Sequence, residues 1–471
     1  MKATEDVTIK PHFLYVFSLL SPYLSLLIIP ILRGFIKFLL GFETRLSSFL
    51  AAEIIIFLLA VLAAVVKLRS VKITFGDSIR IKKGVFIKVN YTISSDSPKV
   101  LMLESNPVLR LFNAFRLKIY TEAGSRRRPD ESLPITAAQA KLLYQKFSVK
   151  GQTVRSNTAG NLIMSAALSS WTTGILLAVP IFKALASVVG KSIPSLLYDI
   201  GDITKMSVWI KNLSQYFPVV LLLGYAISFA VLLVRNSRFS SVRSKNKIML
   251  DSGLICHRTM ILESASVNAV KTVKAPLMIL ADKCVVKFSS CGFGRLKGEI
   301  GLLIPCVKPS LARGLTRWLL PQFEGKGIAV RPKKSALKRC FAIPLLLAAV
   351  LCVAAKVIAN NIKLQGIILG LLSVLLILIL LFVILRVYIL FNGTFSMNKD
   401  NLMMRYKSGF SVIDLNSKMS KVGCIIIKQT LFDKRHKQCT VKIKSFDKNR
   451  EKASLRFLDY NEVKMLIYNS Q

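Results

Sequence analysis

Histidines and acidic side chains are what this chain has least of. Three histidines (His12, His257, His436) and 24 Asp plus Glu stand against 67 Lys plus Arg in 471 residues. The histidines fall in three separate parts of the chain, so they form no local catalytic or metal-binding cluster. His436 and Cys439 have the spacing of half a metal site, but no second pair accompanies them. A phosphate-cradling glycine loop of Walker type is absent too, and Gly292-Phe293-Gly294 lacks the rest of a nucleotide fingerprint. These absences point to a protein that is not an enzyme and uses no cofactor or metal.

Cysteine is sparse and unpatterned. The eight (Cys256, Cys284, Cys291, Cys306, Cys340, Cys352, Cys424, Cys439) include no C-x-x-C pair, and none lies in the first 255 residues. That suits free thiols in a reducing compartment better than a disulfide framework. The first eleven residues balance Lys2 and Lys10 against Glu5 and Asp6, so the basic start of a cleavable signal peptide is missing.

Apolar side chains and positive charge are abundant instead. With 53% hydrophobic residues, a mean hydropathy of +0.51 and a net charge of +43, the chain is too apolar for an ordinary soluble protein, and its cations must lie mainly outside the apolar runs. Such charge suits nucleic acid, anionic lipid headgroups, or the positive-inside bias of a membrane protein. No interleaved aromatic pattern supports nucleic acid.

Apolar runs at 12–32, 46–66, 160–182, 212–234, 340–355 and 364–385 predict six transmembrane helices paired as three hairpins. Soluble modules follow at 67–159, 235–339 and 386–471, with net charges of +12, +16 and +10. An even number of spans between modules puts all three, and the N-terminus, on one side of the membrane. Basic residues beside the spans (Lys67, Arg69, Arg235, Arg238, Lys338, Arg339, Arg386) mark that side as cytoplasmic.

The modules repeat. Between Arg80 and Ser125, apolar and polar residues alternate at Ile81, Val85, Ile87 and Val89 and again at Leu117 and Ile119, which predicts a small antiparallel sheet with Pro107 at an edge or turn. A gapless shift of 169 lays Gly84 on Gly253, Leu101 on Val270, Pro107 on Pro276 and Lys118 on Lys287. A gapped second shift lays Gly253 on Gly409, Val270 on Val422 and Lys287 on Lys442. Helical spacing predicts a closing helix in each module, over Thr136 to Phe147, Ser310 to Leu320 and Asp459 to Tyr468.

The order Gly84, alternating strand, Pro107-x-Leu109-x-Leu111-Phe112, strand, Thr121-x-Ala123-Gly124 resembles the bacterial pleckstrin-homology-like domain. Three such domains, each after a helical hairpin, resemble the membrane-flanked-domain proteins of the YdbT/YdbS group. The motif is fullest in the first module; the second offers Ser290, Gly292 and Gly294 in place of Thr-x-Ala-Gly, and the third is divergent. The resemblance implies an α+β membrane protein of the bacterial cell membrane. It also implies a non-enzymatic scaffold or accessory role in immunity to, or secretion of, membrane-active peptides such as bacteriocins. The partner would be another membrane protein of the same group. The alternative is a subunit of a transport complex working with a separate ATPase.

The candidate sites are basic. Arg126-Arg127-Arg128, Lys333-Lys334 with Lys338-Arg339, and Lys434-Arg435 with Lys437 could hold anionic headgroups or a partner, or could be solvated loop tips and topology anchors. Glu53, the one acid inside an expected span, would either pair with a nearby cation such as Lys37 or Arg45 or mark an ion path.

Overall fold

The computed structural model describes residues 6–20, 46–85, 87–94, 99–121, 129–148, 151–169, 223–244, 246–290, 293, 301–324, 327–361, 365–445 and 452–469. One plan recurs three times along the chain: four strands, then three strands with a five-residue helix after the first, then a closing helix. The first set is β1 (Val7–Ile9), β2 (Lys72–Phe75), β3 (Ile79–Lys83) and β4 (Val89–Ile93), with the helix α1 (Leu46–Ser70) between β1 and β2. It continues with β5 (Lys99–Ser105), α2 (Pro107–Leu111), β6 (Ala114–Thr121), β7 (Glu131–Thr136) and α3 (Ala137–Phe147).

The second set is β8 (Gln152–Arg155), α4 (Thr158–Leu168), β9 (Ser240–Ser244), β10 (Lys247–Ser252), β11 (His257–Glu263), β12 (Val267–Lys274), α5 (Pro276–Leu280), β13 (Cys284–Ser290), β14 (Leu302–Val307) and α6 (Pro309–Leu319). The third opens with β15 (Ala329–Val330), the long helices α7 (Leu337–Asn361) and α8 (Gln365–Asn392), β16 (Thr394–Met397), β17 (Asn401–Ser408) and β18 (Ser411–Lys418). It closes with β19 (Val422–Lys428), α9 (Leu431–Arg435), β20 (Gln438–Ser445), β21 (Lys452–Asp459) and α10 (Tyr460–Tyr468).

Backbone geometry carries the repeat further than side-chain identity does. Gly84, Gly253 and Gly409, matched by the sequence shifts, all turn with positive φ (109°, 100° and 58°) between the third and fourth strands of their sets. Asn113, Asp282 and Lys437 also share a left-handed conformation (φ 49°, 46° and 52°), each just after its five-residue helix. Only the first two of those helices begin with proline. The third replaces it with a capping box between Thr430 and Asp433.

The strands form four antiparallel sheets, ordered β1-β2-β3-β4, β7-β6-β5-β11-β10-β9-β8, β14-β13-β12-β18-β17-β16-β15 and β19-β20-β21. The expected one-sheet module is therefore corrected. Arg80 to Ser125 is divided between two sheets, and two of the four sheets take strands from successive sets. The physical cause is that β5 and β12 each keep a free hydrogen-bonding edge, which the fourth strand of the next set fills.

The chain divides into two compact units, Met1–Gly151 with Arg243–Asp251 and Ile255–Ser266, and Gln152–Val242 with Ser252–Leu254 and Val267–Gln471. In the first, Ile73, Phe75, Ile79 and Ile81 pack with Leu117, Ile119, Leu133 and Ile135, and Ala140 and Leu143 of α3 join them. Each large side chain so buried contributes about 1.5–3 kcal/mol. Helix α3 starts where the sequence predicts, because Thr136 and Gln139 close a reciprocal capping box.

Within this unit β11 joins β5 over six residue pairs, from His257↔Ser105 to Leu262↔Val100. Glu104 is buried at this joint and accepts from Arg258 (2.8 and 2.9 Å) and Lys118 (2.9 Å). Burial alone would raise its pKa, but Arg258 and Lys118 outweigh burial and hold the carboxyl below its ordinary range. A slip of one residue would turn Glu104 onto the apolar face, so the ion group fixes the register.

In the second unit β18 joins β12 in the same antiparallel sense, from Ala269↔Ser417 to Lys274↔Val412. Phe395, Leu402, Met404, Val441, Ile443, Leu455 and Leu458 form the core, closed by Val463 and Leu466 of α10 and met by Leu385 and Ile389 of α8.

The expectation of six transmembrane helices in three hairpins is not supported. Among the described residues one helical stretch, Lys334–Val353 (20 residues), is long and apolar enough to cross a membrane by length and composition, with a mean hydropathy of 2.0 over its most apolar 18 residues. The described part of the expected third span is α4, of 11 residues, which at about 1.5 Å per residue reaches roughly half of a hydrocarbon core. It packs on protein: Gly160, Asn161, Met164 and Ser165 are buried, and a Cβ at Gly160 would lie 2.7 Å from the Cys306 carbonyl oxygen. The expected fourth span is described only over a helix at Leu223–Asn236. The rest of the third and fourth spans, and the first beyond residue 20, lie outside the described residues.

Candidate functional site

Two of the three basic clusters meet at the foot of α7. Lys333 pairs with Asp459, the residue that caps α10, and the Lys333 backbone N–H donates to the Phe457 carbonyl (2.8 Å). Arg339 reaches Asp433 (3.5 Å) and donates to the Gln438 side chain. Its guanidinium also stands 5.7 Å from the Phe457 ring centroid. Burial works against the Asp459 carboxylate, but Lys333 and the backbone N–H groups of Glu462 and Asn461 outweigh it and lower its pKa. Lys333 and Arg339 therefore hold the third strand set to the base of α7 and are not free for a ligand.

The other cluster members point outward. Lys334, Lys338, Lys434, Arg435 and Lys437 are exposed, and Lys437 occupies the left-handed turn after α9. Arg126, Arg127 and Arg128 lie outside the described residues, as does the Glu53 side chain. His436 is exposed while Cys439 is fully buried in the core, so the two do not face a common point.

What the structure adds is a cavity of about 310 Å³ beside Phe457, lined by Phe382, Arg386, Lys407, Arg456 and Phe457 among others. Arg386 comes from the last two turns of α8, Lys407 from β17, and Arg456 from β21. Among the described residues none of the three has a carboxylate partner. Lys407 Nζ donates to the Phe382 carbonyl (2.9 Å) and sits over the Phe382 ring, 3.0 Å from its centroid. Burial, and then the neighbouring Arg386, push the Lys407 ammonium down to about 8.

The strand that supplies Arg456 is locally strained. Pairing of β20 with β21 shifts register between Cys439 and Val441, opposite the 455–458 segment. Phe457 there has φ +66°, a region bulky side chains rarely enter. The bulge aims Arg456 and Phe457 at the cavity, and strain of this kind is characteristic of ligand-facing positions.

In the first strand set the acid Glu131, opposite Ile119 on β6, pairs with Lys83. Once Lys118 and Lys442 are matched, the position of Glu131 is taken by Ala453, opposite Ile443.

A second cavity, of about 340 Å³, lies between α6 and the sheet carrying Arg405 and Asp414. Most of its charge is matched: Arg405 bonds both Asp414 oxygens and Arg317 pairs with Glu324 at 2.6 Å, so Arg313 is the one lining cation without a carboxylate partner among the described residues. The cavity beside Phe457 gathers three such cations.

Sequence reasoning placed Arg386 beside a span but did not join it to Lys407 and Arg456. The available signal was Gly409, two residues after Lys407, matched to Gly84 and Gly253 by the repeat. Comparison with known protein families, with curated proteins and with solved structures gives no match.

Proposed function

We propose that this chain is a non-enzymatic membrane protein, a scaffold of three pleckstrin-homology-like strand sets that holds anionic lipid headgroups in the Arg386–Lys407–Arg456 cavity on the cytoplasmic side. The observation that carries the reading is the convergence of three cations without a carboxylate, against a strained Phe457, next to the helix that bears the apolar stretch Lys334–Val353. A phosphate oxygen accepts from several such donors at once. Each basic side chain near an anionic surface contributes about 1 kcal/mol.

Exposed apolar residues support membrane contact. Leu111 on α2, Leu280 on α5, and Leu431 and Phe432 on α9 are 82%, 87%, 88% and 74% exposed, on the corresponding short helix of each strand set. Arg110, Lys434 and Arg435 lie on the same short helices, the mixture suited to an interface between headgroups and acyl chains. The family resemblance adds the physiological setting, tolerance to or secretion of membrane-active peptides.

The test is lipid retention. Full-length protein in nanodiscs of phosphatidylcholine with and without phosphatidylglycerol is compared, by native mass spectrometry, with the Arg386→Gln/Lys407→Gln/Arg456→Gln variant. The native chain is expected to retain phosphatidylglycerol selectively and the variant to lose that selectivity. Equal retention by both would sink the reading.

A further inference from the structure

Both internal joints follow one rule: the fourth strand of a set adds to the free edge of the fifth strand of the set before it. β11 adds to β5 and β18 to β12, each antiparallel and each over six residue pairs. Applied once more, the rule leaves two open ends. Among the described residues β19, the fifth strand of the last set, has only β20 as a neighbour, and β4, the fourth strand of the first set, has only β3.

The other outer edges are blunted. β1, β8 and β15 are only three, four and two residues long. β7 contains Pro134, β14 contains Pro305, and β21 carries the Phe457 bulge. Short strands, prolines and bulges are the usual defences of a sheet edge. β4 has no proline or bulge, and β19 has one register shift, confined to its start between Val422 and Cys424, where β12, which does receive a strand, has one too. β4 (Val-Asn-Tyr-Thr-Ile) carries no charge, and β19 (Val-Gly-Cys-Ile-Ile-Ile-Lys) has one lysine, at its end. An uncharged, β-branched edge of this kind is a template for another strand.

We propose that β19 is an assembly edge that receives β4 of a second copy of this chain, continuing the internal joints head to tail. The occupant follows from complementarity: the edge takes a fourth strand, and β4 is the fourth strand whose outer edge is open. Such a contact is heterologous, so it builds rings or open chains, not closed two-fold dimers.

The first internal joint also gives the register. Met102 and Ile426 stand opposite the matched lysines Lys118 and Lys442. Two residues on, Glu104 corresponds to Lys428. Arg258, which faces Glu104 in the first joint, corresponds to Val89 by the 169 shift. Val89 therefore faces Lys428, and both are exposed in the single chain. Cross-strand Cα atoms lie about 4.5–5.5 Å apart, within disulfide reach.

The test uses full-length chains with Cys424→Ser in all samples. A Val89→Cys chain and a Lys428→Cys chain, differently tagged, are co-expressed in one membrane and oxidised. A disulfide-linked dimer carrying both tags is expected, absent from either variant alone, and the double variant should give a reducible ladder. No product above the single-variant controls would overturn the proposal. So would dimers of two Lys428→Cys chains, a disulfide closed within one double-variant chain, or trapping of Lys428→Cys on a different protein.

Discussion

Replacing Glu104 by alanine leaves two cations facing each other at the β5–β11 joint without their acid. Arg258 and Lys118 have side chains only 22% and 13% exposed, so neither can return to water without opening the sheet. Removing one partner of a buried ion group costs about 3–5 kcal/mol. Because a chain of two compact units need not unfold in one step, hydrogen exchange by segment is the suitable assay. Peptides covering 99–105 and 257–263 are expected to exchange at least about 100-fold faster at pH 7, taking about 1.4 kcal/mol per factor of ten. The 438–445 peptide, from the other unit, serves as an internal reference and should not change.

The pH dependence of this difference has a definite sign. The folded pKa of Glu104 lies below its ordinary 4.5, so its stabilisation is complete above that value and is lost as pH falls through the folded pKa. The difference between wild type and Glu104→Ala should therefore persist from pH 7 to about 5 and shrink in more acid solution. The variant Glu104→Met/Arg258→Leu/Lys118→Met, which buries no charge, should recover most of the lost protection. Unchanged exchange at both strands in Glu104→Ala, or equal acceleration at 438–445, would refute the reasoning.

Retention of phosphatidylglycerol should weaken as pH rises through about 8, where Lys407 loses its proton, and Lys407→Met should remove that break; titration of lipid retention by native mass spectrometry checks it. Without ligand the same depressed pKa makes stability rise with pH between about 8 and the ordinary 10.5, because the unfolded chain then binds more protons. Lys287 lies opposite Lys271, and burial followed by that neighbour lowers its pKa, so Lys287→Met should raise the thermal midpoint by about 2–4 °C, read by differential scanning fluorimetry. Gly409→Ala meets open space at φ +58° and should cost about 1–2 kcal/mol, whereas at Gly84 a Cβ would also lie 1.9 Å from the Ile87 carbonyl oxygen. Gly84→Ala should thus be the more damaging, seen as faster exchange around 79–93.

Much of the local structure is legible in the chain itself. The closing helices begin at Ala137, Pro309 and Tyr460, within one residue of where helical spacing predicts, because the periodic apolar face and the N-terminal signals are local. The glycines matched by the self-comparison do occupy equivalent turns, since only a backbone that tolerates positive φ suits them. The cationic cavity was less legible. Arg386, Lys407 and Arg456 are far apart in sequence, and only the packing of α8 against β17 and β21 brings them to one cavity.

What the sequence by itself determined is the repeat, with its glycine turns and its strand and helix order, and the excess of positive charge. These follow from short-range sterics and composition. Only the tertiary structure decided how the strand sets connect and which apolar segments face protein. Apolar periodicity is the same whether a strand pairs within its own set or with the next, and the same whether a short helix meets lipid or, like α4, a neighbouring strand. The free edges of β5 and β12 settled the first question, and the close approach of Gly160 to Cys306 settled the second for α4.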